Sequence, residues 1–153
     1  MNRTRKAATA RPRRTGAAKP RVRIKRVYEE RTAHDGRRVL IDRLWPRGIA
    51  KAALALDAWR PDLAPSHELR RWYGHEPARF AEFDRRYRAE LAPLGEAIAD
   101  LRRAARERPL TLLTSVRELD LSHATVLRAI IAAVDAAAPR RPRQAPRARS
   151  PRR

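Results

Sequence analysis

In the stretch VLIDRLWPRG three aliphatic residues give way to Asp42, Arg43, Trp45, Arg47 and Gly48. A second apolar run, PLTLLT, is followed by Ser115, Arg117, Glu118, Asp120, Ser122 and His123. A carboxylate and an imidazole make a general acid–base pair, and two guanidiniums beside an indole grip an anionic group against an apolar wall. With Ser122 or Asp120 as a cap, His123 falls in the first turn of a helix. There the positive end of the dipole disfavours the imidazolium, leaving a ring able to act as base or donor. Arg26 and His75, the latter at the GHEP corner, are further candidates for the same site. The alternative is structural: Asp42 pairs internally with Arg43, Arg26 or Arg47, Trp45 packs under its loop, and His123 only hydrogen-bonds a carboxylate.

These groups meet only if the elements carrying them end side by side. Val39–Ile41 and Leu110–Leu113 are continuous apolar runs, the mark of strands covered on both faces. RVRIKRVY, residues 21–28, is a third β-rich run, with Asp35-Gly36 as turn chemistry after it. Ser66 can cap a helix carrying Leu69, Trp72 and Tyr73 and closed by Gly74. Pro77 opens the next, whose stripe of Phe80, Phe83, Tyr87 and Leu91 reads as core, with Pro93 at its end. Leu94, Ile98, Leu101 and Ala105 mark a further helix, and Leu127, Ile130, Ile131 and Val134 the last. The expected fold is therefore α/β: a small, mostly parallel sheet of three to four strands flanked by about five helices. In such a sheet the chemistry gathers beyond the carboxyl ends of the strands, where Asp42 and Ser115 would both lie.

Composition narrows the chemistry. The net charge of +20 is concentrated at the ends: residues 1–21 hold eight Lys/Arg and no acid, and residues 139–153 hold seven Arg and no acid. The 22 basic and 17 acidic residues left in 22–138 make that part only mildly basic, at +5. Both ends are rich in Ala, Arg and Pro, so they are expected to be disordered arms that bind polyanions by counterion release or are simply solvated. Without cysteine there is neither disulfide nor thiol catalysis, and four histidines without an HExxH spacing leave no metal-ligand pattern. No metal or cofactor is expected. No apolar run approaches a membrane span, which points to a cytoplasmic protein without membrane contact.

IKRVY, VLIDRLWPRG, ELRRWYGHEPARFAEFDRRYRAEL and LTLLTSVRELDLSHATVL, in this order, closely resemble the YeaO-like branch of the bacterial domain-of-unknown-function family 488, over about residues 23–135. The resemblance implies a compact α/β domain without an assigned activity. Relatives in the wider family resemble carriers of cysteines at the positions of Thr114 and Ser122, followed by a histidine matching His123. This chain keeps the histidine and has neither thiol. The branch generally has an aromatic residue and an Asn there, and an Asp where Glu118 stands. Three functions are open: a small anionic ligand bound at the carboxyl rim, with or without catalysis by His123 and Asp42, non-specific nucleic-acid binding through the arms, or a plain interaction module.

Overall fold

The computed structural model describes residues 18–133. Four strands, β1 (Val22–Arg26), β2 (Arg37–Leu40), β3 (Ala58–Trp59) and β4 (Leu110–Thr114), form one parallel sheet in the order β1-β4-β2-β3. The last strand fills the gap between the first two, pairing Ile24 with Leu112 on one side and Val39 with Leu112 on the other. Thus β1 and β2 share no ladder, and the sheet is complete only when residues remote in sequence arrive. The apolar runs read as doubly covered strands are just that: Val39, Leu40, Ile41, Leu110, Leu112 and Leu113 have no exposed surface.

The two faces are covered unequally. One carries α2 (His67–Tyr73), α3 (Phe80–Leu91), α4 (Gly95–Glu107) and α5 (His123–Ala132), whose buried residues join Val39, Ile41, Leu110 and Leu112 in the main core. Ser66 caps α2 by accepting from the Leu69 amide, and Gly74 closes it in the left-handed conformation. Phe83, Tyr87 and Leu91 are buried as the stripe predicts. α3 ends just before Pro93, as expected, and a 3-10 turn at Ala92–Leu94 leads directly into α4. Of the last stripe, Val134 lies outside the described residues.

The other face has only turns and the four-residue α1 (Lys51–Leu54) over a small cluster of Val27, Leu40, Leu54 and Leu113. Here burial is supplemented by charge. Asp35 pairs with Arg38 and, at 2.9 Å, with Lys25, while the Arg38 guanidinium also donates to the Leu54 carbonyl. Gly36 is required beside it, at φ +63°, since a Cβ would stand 2.0 Å from the Pro109 carbonyl oxygen. What reads in the sequence as ordinary turn chemistry is a buried ionic staple. The tails expected at 1–21 and 139–153 fall outside the described residues apart from residues 18–21.

Candidate functional site

Parallel pairing of β2 with β4 brings both strands to the same rim. The Ile41 amide donates to the Leu113 carbonyl at 3.1 Å, so the next residue, Asp42, stands beside Thr114 and Ser115. Its Oδ1 accepts from Thr114 Oγ1 at 2.7 Å, and its Oδ2 from the Ser115 amide and Oγ, both at 2.7 Å. His123, the first residue of α5, places Nε2 3.3 Å from Asp42 Oδ1 and 3.1 Å from the Ile41 carbonyl oxygen. Burial pushes the Asp42 carboxyl up, but the hydrogen bond and charge of His123, with Thr114 and the Ser115 amide, outweigh it and hold the group below its ordinary value.

This geometry assigns the imidazole. Two oxygen acceptors face Nε2, so Nε2 carries a proton. Nδ1 has no partner among the described residues and is not sealed from solvent. A neutral ring therefore presents the Nδ1 lone pair, and a protonated one presents an N–H backed by a buried carboxylate. Neighbouring elements fix the arrangement. Tyr87 of α3 meets His123 edge-on at 6.2 Å, Tyr73 of α2 donates to the Leu121 carbonyl just before α5, and Trp59 of β3 donates to the Asp42 carbonyl at 2.8 Å. Ser122 occupies the cap position but not the capping role, since its hydroxyl donates to the Leu119 carbonyl.

A cavity of about 450 Å³ opens over this pair. Of the residues expected at the site, Asp42, Arg43, Trp45, Arg47, His75, Ser122 and His123 line it. Among the described residues Asp42 is the sole carboxylate on the wall, and it pairs with none of Arg26, Arg43 and Arg47. The structural alternative holds in part, because Trp45 donates to the Ile49 carbonyl and packs on the smaller cluster while also facing the cavity. Arg43 reaches the Ala64 and Pro65 carbonyls, and Arg47 has no hydrogen-bond or ion-pair partner among the described residues.

Arg26, Gly48, Arg117 and Glu118 are not on the wall. Arg26 instead donates to the Val116 carbonyl and lies 5.0 Å over the Tyr28 ring. Gly48 serves the turn, at φ +77° with open space around it. Arg117 and Glu118 point into solvent ahead of a 3-10 turn at Leu119–Leu121. The wall also holds Ser115, expected at this rim, and residues that sequence reasoning passed over: Tyr28, Leu44, Arg70 and Tyr73 in particular. The spacing of Leu69, Trp72 and Tyr73 marks a helix and not a site, and nothing in the sequence marks Tyr28 or Arg70 as neighbours of Asp42.

The family described as the inactive DUF488-N3 subclade matches residues 21–151, and the chain belongs to it. An uncharacterised protein of Mycobacterium tuberculosis (strain H37Rv), Rv3073c, is 48% identical over 107 residues, covering 70% of this chain and 90% of that protein. The uncharacterised protein YeaO of Escherichia coli (strain K12) is 45% identical over 109 residues, covering 69% and 92%. The expected YeaO-like kinship is thus shown. No solved structure matches the chain. No described helix is long and apolar enough to cross a membrane.

Proposed function

We propose that this domain binds a small anionic molecule in the cavity at the carboxyl rim, and that it does so as a receptor or holder rather than as a catalyst. One observation carries the reading: the only carboxylate on the wall among the described residues is already satisfied by Thr114, Ser115 and His123, so it neutralises none of the wall's arginines. Arg47 and Arg70 have no ion-pair partner among the described residues, and Arg43 is met only by backbone carbonyls. Converging guanidiniums without a counter-charge attract phosphate or carboxylate, and Arg supplies the forked geometry for either. The volume lies within the range of small-molecule sites. The inactive character of the subclade fits binding without turnover.

The test is an NMR titration of the full chain with inorganic phosphate, following the Trp45 indole N–H. Saturable movement of that signal, weakened at least about tenfold in an Arg47→Ala, Arg70→Ala double variant, is the expected result. An unmoved Trp45 signal, or equal affinity in the double variant, removes the site.

A second reading rests on the fifteen Lys/Arg and no acid of residues 1–21 and 139–153. We infer that these arms give sequence-independent affinity for DNA or RNA. Deleting residues 1–20 and 139–153 should weaken binding and flatten its salt dependence, which for B-DNA is a slope of roughly −0.9 per phosphate engaged. Equal binding without the arms would move that function onto the folded domain.

A further inference from the structure

Among the described residues the large apolar side chains left exposed are Tyr28, at 55%, Leu44, at 67%, and Trp59, at 39%. Tyr28 and Leu44, the two most exposed, both line the rim cavity. They stand there with Trp45, which the Ile49 carbonyl and the edge of Trp59, 5.5 Å away, hold in place. Tyr28 is held too: the Arg26 guanidinium covers its ring at 5.0 Å and is itself anchored to the Val116 carbonyl at 3.2 Å. An exposed aromatic ring that a neighbouring cation restrains has already lost much of its rotamer freedom, so it stacks on a ligand at small further entropic loss. Leu44 lies between Arg43 and Arg47 in sequence, so the apolar surface and the cationic surface are interleaved at one mouth.

We propose that the anion taken by this site carries a planar aromatic ring, with the ring against Tyr28, Leu44 and Trp45 and the phosphate or carboxylate among Arg43, Arg47 and Arg70. The proposal rests on the anion-binding reading above and adds the chemistry of the rest of the ligand. Two charge-neutral features support the ring over an aliphatic chain. Aromatic faces at the mouth prefer a flat partner, offset or edge-on. A cavity of about 450 Å³ also leaves room beyond a single anionic group. Arg26 then acts as a positioning residue, through Tyr28, and not as a direct ligand.

The experiment is a comparison of four probes on the full chain, read by the Trp45 indole N–H: inorganic phosphate, phenyl phosphate, benzoate and benzyl alcohol. Phenyl phosphate should bind at least about tenfold more tightly than phosphate. A Tyr28→Ala, Leu44→Ser variant should erase that difference; both side chains are exposed, so folding is not at stake. Benzoate binding tighter than or equal to phenyl phosphate would make the anion a carboxylate and keep the proposal. Equal affinity for phosphate and phenyl phosphate, with benzoate no tighter, overturns the ring and leaves the anion site standing. Benzyl alcohol binding as tightly as phenyl phosphate overturns the anion reading and leaves the apolar mouth. Failure of all four to move Trp45 overturns both.

Discussion

Two buried carboxylates flank β2, Asp35 before it and Asp42 after it, and their surroundings are opposites. Asp35 is 2% exposed and meets Lys25 and Arg38, two groups that keep their charge through the physiological range, together with Thr32. Asp42 is 8% exposed and meets two hydroxyls, an amide and an imidazole. The first is shut beneath a face that lacks long helices, and it supplies by charge what that face lacks in apolar cover. The second lies on a cavity wall, at the end of the sheet where the strands leave their partners. Burial of a charged group thus says little about function, and a cavity adjoins both carboxylates; whether the partners are two strong cations or hydroxyls, an amide and an imidazole says more.

The comparison breaks most visibly in stability. Arg38→Ala leaves Asp35 buried with Lys25 as its only cation and should destabilise the domain by about 3–5 kcal/mol in urea unfolding, without altering anion affinity. A loss under about 1 kcal/mol would show that the staple is not structural. Asp42→Ala should cost less, about 1–3 kcal/mol, since it strands the Thr114 and Ser115 donors but no fixed charge, and it should also change the His123 environment. Equal losses for the two variants would erase the distinction.

Acid sharpens it further. Both carboxyls are held below their ordinary values, Asp35 by Lys25, Thr32 and Arg38 against the opposing effect of burial, and Asp42 by His123, Thr114 and Ser115. A depressed carboxyl stabilises the fold fully above the unfolded value of about 3.9, and that stability is lost as pH falls through the folded value. Asp42→Asn should therefore narrow the stability gap between neutral and acid solution, and a gap as wide as the wild type's would contradict the assignment. The smallest change in stability belongs to Arg47→Ala, within about 0.5 kcal/mol, because the side chain is exposed and unpaired among the described residues. Its effect should appear only with anion present, as loss of the roughly 2.7 kcal/mol that a ligand at a hundredfold its Kd contributes.

Much of this was legible in the chain and some was not, for physical reasons. Continuous apolar runs at Val39–Ile41 and Leu110–Leu113 give central strands, because only a strand covered on both faces dispenses with alternation. The spacing of Phe83, Tyr87 and Leu91, and Ser66 with Gly74, place α3 and α2. From parallel strands alone, Asp42 and His123 are expected on one rim, and the coordinates put them 3.3 Å apart. The two-residue β3 is too short to carry a period, so Trp59 and its hold on the Asp42 carbonyl left no trace in the pattern. Asp35 was hidden for a different reason: Asp-Gly is ordinary turn chemistry, and nothing local reveals that Arg38 and Lys25 fold back upon it. The cavity's Arg70 and its exposed Tyr28 come from segments that only the tertiary fold brings together.

The central claim is that Asp42 fixes His123 with its proton on Nε2 and turns Nδ1 toward an anion-binding cavity. Long-range proton–nitrogen NMR of the histidine rings, recorded between about pH 5 and 8 with and without phosphate, measures this directly. The account predicts the Nε2–H form of neutral His123 in the free protein. It also predicts that phosphate, bound in the cavity that His123 lines, moves the Nδ1 signal and leaves the Nε2–H in place. A neutral His123 protonated on Nδ1, or a His123 signal indifferent to phosphate at every pH, would contradict it.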